Sequence, residues 1–248
     1  METLLAVSTL AIGMIFVGGT FLTGIYFATV STEQTIATVA TDEALAKIRL
    51  YGLDVNEPNL STGGFVLYEK LRSFPREEML YPSTDANSVR EYSWAALCRR
   101  MDPQSRLVQI AVMVSRQAGP NARFWTVPTE AGQTGFEQGT LPRPIRINVV
   151  QDTDAENNEL TIVDGDDGDN VEEHTFVTDG AIIMDDATGQ IYRVLERYVD
   201  PSDRIKLDRP WAGSPLGSSD GGWVWVVPRP VAGGRSPFVA VYQEVLRF

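Results

Sequence analysis

TLLAVSTLAIGMIFVGGTFLTGIYFATVST, residues 3–32, contains no charged side chain, and only Glu2 carries a charge ahead of it. As a helix, about 30 residues at about 1.5 Å each reach roughly 45 Å, beyond the about 30 Å of bilayer hydrocarbon. The run is also longer than the apolar part of a secretory signal. An ionisable group such as Glu2 at membrane depth is costly and calls for a partner.

The helix is expected to continue past the apolar run. No Gly or Pro interrupts residues 33–51, and Ile36, Val39, Ala40, Ala44, Leu45 and Ile48 recur at three- and four-residue spacing. Lys47 and Arg49 suit the negative end of the helix dipole, and Gly52 and Pro58 mark a stop. The reading is one helix over residues 1–53, membrane-spanning over 1–32 and amphipathic beyond, with its second half packed on a folded body. Gly13, Gly18, Gly19 and Gly24 suit either close helix–helix approach or the ordinary glycine content of membrane helices, and Gly18-Gly19 is a candidate bend.

Met1-Glu2-Thr3-Leu4-Leu5-Ala6, followed by Leu10-Ala11-Ile12-Gly13-Met14, resembles the start of type IV pilins and type II secretion pseudopilins. The resemblance covers about the first fifty residues. It implies a prepilin N-terminal methylation motif with Glu2 on the family's glutamate, and a short basic leader ending in Gly encoded ahead of Met1. It also implies assembly through Glu2, which would pair with the N-terminal amine of a neighbouring subunit. A pilin-like single-pass protein of this kind sits in the inner membrane with its head extracytoplasmic, and in a periplasmic or cell-surface filament after assembly. Lys47 and Arg49 alone would place the body in the cytoplasm by the positive-inside rule; a basic leader reverses that orientation.

Composition narrows the chemistry. One cysteine, Cys98, excludes an intrachain disulfide, and its apolar surroundings make it a small core residue. One histidine, His174, removes most zinc-site and catalytic-triad arrangements. A net charge of −12 opposes nucleic-acid binding. Ten acidic residues fall between Asp152 and Glu173 without a Lys or Arg, a pattern of a solvated loop or strand face.

The remainder reads as strands. Residues 54–142 are expected to form a pilin-like head: a short helix over Phe65–Phe74, then strands over Arg90–Cys98 and Arg106–Arg116 joined by an Asp-Pro turn. Val108, Ile110, Val112 and Val114 alternate with Gln109, Ala111, Met113 and Ser115, which predicts one buried face. Residues 117–142, rich in Gly, Pro, Thr and Gln, read as a linker or an excursion. Residues 143–248 are expected to form a β-rich domain with the acidic loop, its strands at Ile145–Val150, Glu159–Val163, Gly180–Asp185, Ile191–Arg197, Ile205–Leu207, Trp223–Val227 and Phe238–Leu246. Asp186-Ala187-Thr188-Gly189 closes a hairpin. The fold class is therefore α+β: a long N-terminal helix on an antiparallel sheet, then a small all-β sandwich or barrel.

No nucleophile motif, phosphate loop or Cys/His cluster is present, so no enzyme activity, catalytic residue or cofactor is expected. Asp164, Asp166, Asp167 and Asp169 have the density of calcium ligands but lack EF-hand spacing, and a solvated loop is the favoured reading. Trp211, Trp223 and Trp225 are expected in packing rather than in a sugar platform. The function expected is a structural subunit of a pilus-like or pseudopilus filament, a minor pilin in view of its large head. Its partners would be other pilin-like subunits and the membrane, and not nucleic acid. The alternative is a membrane-anchored extracytoplasmic β-domain that binds carbohydrate or a divalent metal. The codons directly upstream of Met1 check the leader: an in-frame basic segment ending in Gly is expected, and an adjacent stop codon removes the resemblance's main support.

Overall fold

The computed structural model describes residues 2–83, 90–117, 119, 121–127, 135–151, 156–165, 171–213 and 222–248, without the side chains of residues 2, 4 and 5. Helix α1 spans Glu2–Tyr51. It ends where expected: Gly52 takes φ +71, a conformation that suits glycine, and its N–H donates to the Ile48 carbonyl at 2.9 Å. The chain divides into two compact units, residues 1–39 and 40–248.

Over residues 6–28 of the first unit α1 presents apolar side chains to solvent on all sides, and further along Glu33 and Ala37 are buried. Leu10, Ile15, Phe16, Phe21, Leu22 and Phe27 are all exposed. In the second unit its buried stripe is Ala40, Thr41, Ala44, Leu45 and Ile48, mostly small residues. Val39, assigned to the apolar stripe by spacing, is instead exposed.

The body is built on a five-stranded antiparallel sheet. Its strands are β1 (Val66–Leu67), β2 (Leu80–Tyr81), β3 (Tyr92–Arg100), β4 (Leu107–Arg116) and β13 (Phe238–Arg247). β1 and β2 both pair with β3, β3 pairs with β4, and β4 pairs with β13. The helix expected over Phe65–Phe74 resolves into β1 and a single turn, α2 (Tyr68–Leu71). The local helical period gives way because Val66 and Leu67 sit opposite Cys98 and Leu97 along the edge of β3.

Strand β4 departs from its one-sided expectation. Val108, Ile110, Val112 and Val114 are buried, and so are Ala111, Met113 and Ser115. The second face is covered by a core in which Phe65, Leu67, Leu97, Ala111 and Met113 join Met184, Trp225 and Val227. Those last three come from a closed six-stranded antiparallel barrel: β7 (Ile145–Val150), β8 (Glu159–Val163), β9 (Ile182–Asp185), β10 (Ile191–Arg197), β11 (Arg204–Leu207) and β12 (Gly222–Val226). Around the barrel the order is β7-β8-β11-β10-β9-β12. Residues 143–248 thus supply the barrel and then β13, which completes the flat sheet.

Residues 117–142, read as a linker or an excursion, contain a small hairpin of β5 (Phe124–Thr126) and β6 (Glu137–Gly139). Trp125, Val127 and Phe136 pack against the barrel core, with Phe136 edge-on to Phe176 at 5.1 Å. The segment therefore closes one side of the barrel core.

The β9–β10 hairpin joins barrel to sheet. Buried Asp186 accepts hydrogen bonds from the Phe65 N–H at 2.8 Å and the Trp225 indole at 2.7 Å, and pairs with Arg146 at 2.8 Å. Next to it the Gly189 carbonyl accepts from Gln243 at 2.6 Å, and Arg99 donates to the Thr188 carbonyl at 3.3 Å. Removing a buried charge that satisfies several donors strands them all. Asp186→Ala should lower stability by about 3 kcal/mol, and Asp186→Asn by less, as measured by chemical denaturation.

Candidate functional site

The apolar length of α1 is the first candidate. It is a helix long and apolar enough to cross a membrane by length and composition. Four of its threonines are satisfied internally: Thr20, Thr23, Thr29 and Thr32 each donate to the carbonyl four residues back, at 2.9–3.2 Å. A threonine bonded in this way presents its methyl group and leaves no unpaired donor for an apolar solvent to desolvate. The sequence reading passed over this feature, although the frequency of threonine in an uncharged helix is a visible signal. A Cβ added at Gly13, Gly18, Gly19 or Gly24 would meet nothing within 4 Å. Glu2 opens α1, and its side chain lies outside the described residues.

The acidic block is less solvated than its composition suggests. Asp164 accepts the His174 backbone N–H at 3.0 Å, and its other oxygen lies 2.8 Å from His174 Nδ1. His174 Nε2 lies 3.3 Å from Glu172. Glu173 is buried and accepts the Gly165 N–H at 2.5 Å. These bonds tie the short 3₁₀ turn Glu173–Phe176 to the end of β8. Asp164 is thus engaged in holding the loop, while Asp166, Asp167 and Asp169 lie outside the described residues. Among the described residues, no group of three or more His, Cys, Asp or Glu side chains is placed to hold a metal.

Glu159 is buried on β8 and accepts a hydrogen bond from Tyr198 at 2.5 Å. That bond, which outweighs partial burial, and the neighbouring Lys206 and Arg204 hold the Glu159 carboxyl below its usual value; the same bond raises the Tyr198 phenol. Burial likewise pushes the Cys98 thiol well up, which keeps it inert as expected for a core thiol.

The tryptophans pack as expected. Trp211 and Trp225 are buried. Trp223 shares the outer face of β12 with Trp225 and is 39% exposed, but the Arg146 guanidinium covers its ring at 4.4 Å. No open aromatic platform is formed by these three rings.

No family model matches the chain, and neither a curated protein nor a solved structure matches it. The class that the coordinates define is therefore a coarse one: an α+β protein with one N-terminal candidate membrane helix, an antiparallel sheet and a closed barrel.

The Glu159 pair gives a pH prediction. A carboxyl whose folded value is depressed stabilises the fold above its unfolded value, about 4.3, and that contribution is lost as pH falls through the folded value. Tyr198→Phe should lower the melting temperature at pH 7, and the gap from the wild type should close as both are taken below about pH 4. A gap that is independent of pH would show that the hydroxyl acts through packing alone.

Proposed function

We propose that this chain is a membrane-anchored structural subunit that assembles through α1 into a pilus-like or pseudopilus filament. The observation that carries the reading is the contrast within one helix. Over residues 6–28 the apolar side chains are exposed in every direction, whereas over 40–48 only one stripe is buried. A helix that is apolar all round is stable only in lipid or in a bundle of like helices. The same surface can serve before assembly as an anchor and afterwards as packing surface. The glycines, with open space over each, would permit close approach of neighbouring helices.

The two-part body, with a barrel inserted between β4 and β13, suits a specialised subunit rather than a densely repeated one. Glu2 would be the assembly residue, its charge answered by the amine of a neighbour. A stranded carboxylate in an apolar bundle is costly, and pairing removes that cost.

The test uses Glu2→Ala in cells, with whatever leader the gene encodes retained. Membrane fractions should contain the variant at wild-type level, and sheared filament fractions should lose it at least tenfold. Equal recovery in filaments would refute the assembly role of Glu2. Absence of the wild type from any filament fraction would leave an anchored β-domain as the better reading.

A further inference from the structure

The barrel carries a cavity of about 360 Å³ at the end of β9 and β10 opposite their shared turn. That turn bears Asp186 and Gly189 and packs on the sheet, so the start of β9 and the end of β10 point away from the seam. Two loops meet there, residues 178–180 ahead of β9 and residues 198–203 between β10 and β11. Backbone bonds shape both. The Ala181 N–H donates to the Thr178 carbonyl at 2.9 Å, the Gly180 N–H to the Val194 carbonyl at 2.8 Å, and the Tyr198 N–H to the Arg204 carbonyl at 2.9 Å.

The polar groups that line the cavity are each held at one atom and unspent at the others. Asp179 Oδ1 accepts the Arg197 backbone N–H at 2.6 Å, and Arg197 Nε donates to the Ser202 carbonyl at 2.9 Å. These two bonds join the carboxylate, the guanidinium and the β10–β11 turn into one unit. Among the described residues, nothing pairs with Asp179 Oδ2, with Nη1 or Nη2 of Arg197, or with the hydroxyls of Thr178 and Ser202. The Tyr198 hydroxyl is spent on Glu159, so Tyr198 and Val199 add hydrocarbon to the lining. Val199 is 93% exposed, an apolar side chain left in water beside the cavity.

The charges of Asp179 and Arg197 cancel, and the other charged residues close to them in the chain, Glu196, Asp200, Asp203 and Arg204, do not line the cavity. This balance selects the class of ligand. A phosphate would meet the carboxylate, and a cation would meet the guanidinium. A neutral polyol offends neither, because each of its hydroxyls can donate to Asp179 and accept from Arg197. Thr178 and Ser202 extend the same hydrogen bonding, and Tyr198 and Val199 suit the C–H face of a sugar ring. A free amino acid also carries both charges, but it would leave the hydroxyls and the apolar wall unused. The volume falls within the range of about 300–1,000 Å³ common to small-molecule sites. Groups already fixed by backbone bonds lose little freedom on binding.

We propose that this cavity is a saccharide-binding site in which Asp179 and Arg197 orient the sugar hydroxyls. It lies wholly within the barrel, so the inference stands apart from assembly through α1.

The test is saturation-transfer NMR on the full chain in a zwitterionic detergent that carries no sugar. The probes are the methyl glycosides of glucose, galactose, mannose and N-acetylglucosamine, each alone and in competition with inorganic phosphate and with glycine. At least one glycoside should receive saturation from the protein, and neither phosphate nor glycine should displace it. Asp179→Asn keeps the acceptor for the Arg197 N–H and turns the free acceptor into a donor. It should retain the wild-type melting temperature and lose the signal severalfold. Arg197→Lys should lose it as well, since lysine reproduces the charge but not the planar fork. Absence of transfer to every glycoside would overturn the proposal. So would a signal unchanged in Asp179→Asn, which would put the sugar elsewhere on the body. Displacement by phosphate or glycine would overturn the ligand class and reassign the cavity to an anion or an amino acid.

Discussion

Nine residue pairs join β4 to β13, and the body depends on that ladder. It closes a loop of more than a hundred residues, so the sheet is completed only by a strand that follows the barrel in the chain. The barrel is consequently an insertion held at both ends by one sheet. Tethering at both ends places the barrel's outer face against the sheet, and that is why β4 has no polar side. A long-range pairing of this kind costs loop-closure entropy before it returns any contact. The cost is offset by apolar burial on both faces of β4, at about 25 cal/mol per Å².

The seam between barrel and sheet is polar at one point and apolar around it. Asp186 sits among Phe65, Trp225 and Gly64, and a Cβ on Gly64 would come within 2.5 Å of its carboxylate. That close approach accounts for a glycine at position 64 in a chain turn that otherwise has no positive φ there. Met184, Trp225 and Val227 surround the point with hydrocarbon and keep water from competing for the carboxylate. A charge placed there fixes the angle of docking more sharply than apolar contact alone, because each of its partners comes from a different segment.

Much of this was readable from the sequence where one physical rule acted alone. The absence of charge over residues 3–32 and the glycine at position 52 gave α1. The seven short runs after Pro142 emerged as strands with boundaries shifted by two residues at most, because turn residues punctuate them. Legibility failed where tertiary contact overrode local pattern. Val66 and Leu67 carry a helix-like period yet serve as an edge strand, because β3 offers open backbone groups there. Val39 satisfies the helix spacing yet faces out, since the stripe is built from Ala40 and Ala44 instead. Glu159 and Glu173 sit in a run of carboxylates that reads as solvated, but Tyr198 and the Gly165 N–H draw both inward. Composition counts charges; it does not reveal which of them find donors. The candidate site shows the same limit: Glu2 and the apolar run stand out in the sequence, whereas the bond from Tyr198 to Glu159, 39 residues away, exists only after folding.

The distribution of charge then has a physical order that no local window displays. Carboxylates concentrate in the β7–β9 region, where His174 and Lys206 answer a few of them, while the connection into the barrel carries two acids, Glu130 and Glu137, and the one out of it, residues 227–237, carries none. Like charges that are spread evenly over a chain of net −12 would hold it away from an anionic surface on every side. Segregation changes that balance at one end only. Repulsion from the acidic region falls off within about 8 Å at physiological salt, so each edge of the body presents its own local charge rather than the net charge.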